Sequence, residues 1–324
     1  EISHGEREGC ETPRCRRRGR AGGSESGWHL PAKGVTQGAM SRPMLIAAPI
    51  LFLLLWSAGF AIAKIGLVHA GPFTLLALRY GIAVLVLLPL IPILRPAMPR
   101  GRAAVDIAVT GFLIQVVYFG LCYTAFRLGV SAAGVAIIVC LQPILVSLIA
   151  PWMVGEAVSR LRWLGLGLGL CGAVTVILAR SGVAQEPPLG ILVAVGGLVG
   201  MTAATLYEKR FGVTTHPVPA NLIQYAVGAV FTLPVAIAVE GMQADWTPEL
   251  FATLAYLVIG NSLISITLLL AMIRAGEVAR VSALFYLVPP LSALFAWPML
   301  GEAMPALAWA GMALAGLGVT LARR

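Results

Sequence analysis

A few charged and polar side chains stand within long apolar runs, and they set the chemistry open to this chain. Arg79 lies one to two turns into "PFTLLALRYGIAVLVLLPL", and Lys64 closes "LIAAPILFLLLWSAGFAIAK", the run that also carries Trp56. A base that deep in an apolar run must face a cavity or a partner, because exposure to lipid costs several kcal/mol. Arg79 can therefore meet a carboxylate. Lys64 stands nearer a run end and reads equally as a gate or as an anchor reaching for the interface. Gln115, Tyr118, Gln142, Tyr207, Asn261 and Tyr286 are further polar groups at depth, joined by Tyr123, Gln224 and Tyr225. Each alone is more often a helix–helix hydrogen bond than a ligand contact. As a set they outline a polar, aromatic and nearly neutral cavity. Such a cavity suits a zwitterion, an aromatic compound or a modest organic ion.

The same inventory argues against catalysis. The histidines are His4, His29, His69 and His216, two in the N-terminal tail and two in connectors. They form no metal-binding pair, and no Asp or Glu lies mid-run to make an acid dyad. The glycine runs "GLGLGLCG" and "GMALAGLG" lack the Lys and Ser or Thr that a phosphate loop needs. They read as surfaces for close helix approach or dimerisation, in a monomer or a homodimer. Cys10 and Cys15 lie in the tail, and Cys122, Cys140 and Cys171 stand singly, without metal-site spacing. No cofactor and no metal are expected, and the protein is read as no enzyme.

The elements that hold these residues are membrane helices. The chain has 324 residues, 59% apolar and 11% charged, where a soluble domain is about a quarter charged. Its apolar runs approach twenty residues, enough to cross about 30 Å of hydrocarbon. Residues 1–39 are rich in Gly, Arg, Ser and Glu, carry no apolar period, and read as a disordered tail. Met40 is a plausible native start. Of the 23 Lys and Arg, seven lie in that tail and the rest sit mostly at helix ends. The net charge of +9 is thus a topology signal, not a nucleic-acid footprint.

Ten apolar segments are expected, near 44–64, 72–94, 103–126, 130–153, 160–180, 188–209, 219–239, 249–273, 278–300 and 304–322. With the N-terminus inside, the inner connectors and terminus carry Arg95, Arg100, Arg102, Arg160, Arg162, Lys209, Arg210, Arg274, Arg280, Arg323 and Arg324. The outer connectors carry Lys64, Arg127 and Arg180, and the one near 240–249 holds Glu240, Asp245 and Glu249 without a base. That bias puts both termini in the cytoplasm.

The chain also repeats itself. "QPILVSLIAPWMVGEAVSRLRWLG" and "VPPLSALFAWPMLGEAMPALAWAG" share Pro143/Pro289, Gly155/Gly301, Glu156/Glu302, Trp163/Trp309 and Gly165/Gly311 at an offset of 146. Earlier in each half an offset of 145 pairs Lys64/Lys209, Tyr80/Tyr225 and Pro89/Pro234. Residues 40–182 and 183–324 thus read as two copies of one five-helix unit. Five is odd, so the copies enter the membrane from opposite sides, the inverted repeat of many secondary transporters. The symmetry predicts gating pairs of Glu156 with Lys209 and Glu302 with Lys64. The bland alternative is that each glutamate caps the next helix. Pro143, Pro289 and Pro290 are expected to kink their helices, and mid-helix kinks at matched positions point to a binding site.

The stretches "LLLWSAGFAIAKIGL", "LLALRYGIAVLVLLPL", "AFRLGVSAAGVAIIVCLQPILVSLIAPWMVGE" and "LGLGLGLCGAVTVI" resemble the EamA-like transporters of the drug/metabolite transporter superfamily. The resemblance covers nearly all of residues 44–322. It implies an all-α fold of ten transmembrane helices in the bacterial inner membrane, termini inside, with a central cavity. It also implies export of amino acids or other small metabolites. A lipid flippase or a nucleotide-sugar or drug carrier on the same fold is the alternative. Gln224 stands where the repeat would place a second Arg79, and Met201 where it would place a second Trp56. The halves therefore do not form chemically equivalent sites.

Overall fold

Proline, glycine and arginine punctuate the apolar runs, and the helices begin and end at them. Pro72, Pro188, Pro217 and Pro248 each open a helix, where the absent N–H costs nothing. In the computed structural model the chain is described over residues 42–130, 135, 138–139, 141–153, 155, 158–180, 187–213, 215–275, 284, 287–288, 290–292, 294–295 and 306–322. The helices are α1 (Arg42–His69), α2 (Pro72–Leu87), α3 (Leu90–Leu94), α4 (Arg102–Gly111) and α5 (Phe119–Arg127). They continue as α6 (Gln142–Met153), α7 (Arg160–Arg180), α8 (Pro188–Phe211), α9 (Pro217–Glu240), α10 (Pro248–Tyr256), α11 (Ile266–Ala275) and α12 (Ala306–Ala322). Among the described residues the only β pairing is a single bridge, Ala70 with Ala244.

Six stretches of the described chain are long and apolar enough to cross a membrane: Ala47–His69, Pro72–Leu94, Arg102–Arg127, Pro188–Phe211, Pro217–Glu240 and Pro248–Leu269. They match the first three and the sixth to eighth expected segments. Large apolar side chains such as Trp152, Val239 and Ile93 face outward, as they can where the surroundings are lipid. The ninth expected segment, and the first part of the fourth, fall largely outside the described residues.

Two local features depart from uninterrupted helices. The segment expected at 72–94 breaks after Leu87 and resumes at Leu90, because Pro89 cannot donate to a continuing ladder. Between α4 and α5 runs a π-helical turn, Phe112–Tyr118, and between α10 and α11 a second, Leu257–Ser265. They begin 145 residues apart, the offset of the early sequence repeat. Such widened turns are rare and concentrate at functional sites.

Glycines bring α7 and α12 together. A Cβ on Gly172 would lie 2.7 Å from the Gly311 carbonyl oxygen, and one on Gly318 would lie 2.7 Å from that of Gly165. Gly172/Gly318 and Gly165/Gly311 are each 146 apart, so the contact is reciprocal and the helices run antiparallel. α2 packs along α9, with Tyr80 and Tyr225 stacked at 5.8 Å between ring centres.

Bonds between distant segments tie the helix ends. At one end the Glu240 carboxylate accepts from Phe73 N (3.0 Å), Thr74 N (2.7 Å) and Thr74 Oγ1 (2.7 Å). Asp245 N donates to His69 O there at 2.8 Å. At the other end Asp106 accepts from Arg102 Nε (2.9 Å) and Tyr207 OH (2.8 Å), and Arg210 donates to the Met153 carbonyl.

Candidate functional site

Arg79 is fully buried, seven residues into α2 and so about 10 Å below the helix start at 1.5 Å per residue. Its Nε donates to Ser262 Oγ at 2.6 Å, one Nη to Tyr123 OH at 3.3 Å and the other to Asn261 Oδ1 at 3.3 Å. Its guanidinium lies 4.4 Å from the centre of the Phe119 ring and 5.7 Å from that of Tyr80. Asn261 and Ser262 both stand on the second π-helical turn, while Tyr123 and Phe119 come from α5.

Every one of these partners is neutral. Among the described residues no carboxylate pairs with Arg79, and the ion pair found there is Arg102–Asp106. A buried cation without a counter-ion carries an uncompensated desolvation cost. Among the described residues three hydrogen bonds engage the guanidinium, which offers five N–H groups in all.

Beside it lies a small cavity whose walls include Trp56, Gly59, Phe60, Tyr118, Tyr123 and Asn261. Its volume is about 10 Å³, room for about one water, so the aromatic walls are closed on each other. Trp56 stacks on Tyr118 at 6.2 Å and tilts against Phe119 at 5.8 Å. Gly59 lets α1 approach the second π turn: a Cβ there would run into the Asn261 amide. Trp56, Arg79, Tyr118 and Asn261, expected from the sequence, therefore meet in one place. Gly59, Phe119 and Ser262 were not foreseen; nothing in their type or spacing marks them.

Other expected residues stand elsewhere. Gln115 lies on the first π turn, where its carbonyl accepts from Tyr80 OH at 2.8 Å. Tyr225 OH does the same to the Ser262 carbonyl on the second turn, so the stacked tyrosines make matching bonds, one in each half. Gln224, the counterpart of Arg79, is buried against Gly111. Gln142 donates to Thr205 Oγ1 on α8 at 3.2 Å, and Tyr207 OH donates to Asp106 in the middle of α4. Pro143 is buried in the first turn of α6, directly after a turn at Leu141. Pro290 is helical and buried, Lys64 is exposed, and Lys209 lies in the last turn of α8. Glu156, Tyr286, Pro289 and Glu302 lie outside the described residues.

Comparison with known proteins adds the family. The model of the EamA-like transporter family matches residues 43–178 and again 188–324. The "Uncharacterized inner membrane transporter YedA" of Escherichia coli K12 is 22% identical over 277 residues, covering 86% of this chain and 90% of that protein. The "Probable terminal-alkyne amino-acid exporter" of Streptantibioticus cattleyicolor is 25% identical over 292 residues, 88% of this chain and 95% of that one. The "Probable amino-acid metabolite efflux pump" of Salmonella typhimurium is 23% identical over 283 residues, 83% and 91%. One solved structure, described only as a crystal structure of a protein, superposes with a TM-score of 0.70 at 22% identity. It covers 85% of this chain and 96% of its own, a likeness of fold.

Proposed function

The chain belongs to the EamA-like transporter family, and on that footing we propose that it is a secondary transporter exporting small carboxylate-bearing metabolites, amino acids and their relatives first. It is a multi-pass protein of the bacterial inner membrane. The observation that carries the reading is Arg79, a fully buried guanidinium whose hydrogen-bond partners among the described residues are three neutral side chains. A cargo carboxylate supplies the missing charge and takes the bidentate geometry that arginine offers. Trp56 and Tyr118, beside Asn261, then form the wall against which the cargo's apolar part rests. Two relatives named for amino-acid export support the same class.

Alternating access is the proposed mechanism, through ten helices in two inverted repeats with both termini inside. Three observations support that architecture: the double family match, the reciprocal glycine contacts of α7 with α12, and π turns that begin 145 residues apart. Each half presents the opposite end of its helices to a given side, so closing one mouth favours opening the other. Glu156 with Lys209, and Glu302 with Lys64, are the proposed gate pairs. The bond from Arg210 to the Met153 carbonyl brings the end of α8 to the end of α6, a few residues before Glu156.

The test is counterflow in proteoliposomes preloaded with a mixed amino-acid pool, with labelled amino acids supplied one at a time outside. Exchange is expected in the native protein and absent in Arg79→Ala. If a folded and inserted protein exchanges no amino acid, the substrate class is wrong.

A further inference from the structure

The two halves differ at one place where their sequences agree. α9 runs through Leu233 and Pro234 to Glu240, but the matching Leu88 and Pro89 end α2 and start the short α3. The break leaves an apolar groove of about 530 Å³ between the end of α2, α3 and the first turns of α9, lined by Leu88, Pro89, Ile91, Pro92, Met98 and Leu222. No residue of α3 is buried, and Ile93 is 70% exposed.

Basic residues follow the groove directly. Arg95 caps α3 one residue past Leu94, and Arg100 lies two past Met98; both are exposed. Arg102 is engaged by Asp106, whereas Arg95 and Arg100 make no ion pair among the described residues. Arg95 also holds a left-handed backbone, φ 45° and ψ 45°, which a side chain with a Cβ adopts only when its surroundings enforce it. An apolar groove at a helix end, followed in the chain by two exposed arginines, complements one class of molecule in a membrane, an amphiphile with an anionic head.

We propose that this groove is a binding site for an anionic phospholipid, its acyl chain lying along Leu88, Ile91, Met98 and Leu222 and its phosphate on Arg95 and Arg100. A zwitterionic lipid offers the same tail but a compensated headgroup, so the arginines give the preference and the groove gives the seat. Leu222 belongs to α9 and the other lining residues to the break after α2, to α3 and to the connector that follows it, so the bound lipid bridges the two halves. The site stands apart from Arg79 and does not depend on what the protein carries.

The experiment uses the purified full chain in detergent, titrated separately with phosphatidylglycerol and phosphatidylcholine and followed by native mass spectrometry. The native protein should retain phosphatidylglycerol in preference to phosphatidylcholine. Arg95→Gln with Arg100→Gln should lower phosphatidylglycerol affinity by roughly thirtyfold, equivalent to about 1 kcal/mol per arginine, with phosphatidylcholine little changed. Leu222→Trp, which fills the groove, should weaken both lipids together. Equal retention of the two lipids by the native protein would overturn the proposal. So would phosphatidylglycerol binding unchanged in the arginine variant, or a lipid-independent dimer that Leu222→Trp dissolves.

Discussion

Replacing Glu240 by alanine removes the acceptor that joins α9 to the start of α2. Three bonds end on that one carboxylate, two from backbone N–H groups of the first turn of α2 and one from the Thr74 hydroxyl. Those N–H groups have no partner within their own helix. The site is half-buried, so water can serve them after the substitution, and the loss stays near that of a helix cap, about 1 kcal/mol. The favourable meeting of a carboxylate with the positive helix end adds up to about 1 kcal/mol more. The sum, about 1 to 2 kcal/mol, predicts a melting temperature lower by about 2 to 4 °C, read from thermal unfolding of the purified protein. Glu240→Gln keeps one acceptor and loses the charge, so it should fall about halfway between. The close fit of Gly71 against the Glu240 carboxylate means that Gly71→Ala should reproduce much of the loss. A melting temperature unchanged in Glu240→Ala, or equal damage from glutamine and alanine, would refute this reasoning.

Other outcomes follow from the same contacts. Gly172→Val and Gly318→Val each drive a side chain into the partner helix, so both should sharply cut the yield of folded protein in size-exclusion chromatography. Matched losses are expected because the contact is reciprocal. Gly59→Ala should push Asn261 off Arg79 and weaken amino-acid counterflow severalfold, with a smaller effect on melting temperature than either valine variant. Tyr207→Phe removes one hydrogen bond to Asp106 and should cost about 1 kcal/mol of stability, leaving the apparent affinity for cargo as it was.

The membrane class and the spans at 44–64, 72–94, 103–126, 188–209, 219–239 and 249–273 could be read from apolar run length and punctuation. Arg79 was legible too, since a base inside such a run announces a cavity by its cost. What surrounds it was not. Ser262 is a small hydroxyl beside Asn261, and only a fold that sets α2 against the second π turn, 183 residues away in sequence, shows that it holds a guanidinium. The π turns leave no mark in an apolar run, where a change of turn width alters no residue type. Pro89 and Pro234 are the same residue in matched contexts, yet one ends a helix and the other rides inside it. Glu240 read as an acid marking the outer connector, while its bonds cap a helix 166 residues away. Tyr207 is polar at depth like Tyr118, and helical rotation, invisible in composition, turns it to Asp106 instead of the cavity.

The central claim is that Arg79 receives a cargo carboxylate, and competition in counterflow tests it directly. An exchanged labelled amino acid is challenged with its unlabelled form and with its carboxamide, which keeps the shape and loses the charge. The native protein should be inhibited by the acid far more than by the amide, and Arg79→Gln should lose that preference while remaining folded and inserted. Equal inhibition by acid and amide in the native protein, or unchanged preference in Arg79→Gln, would contradict it.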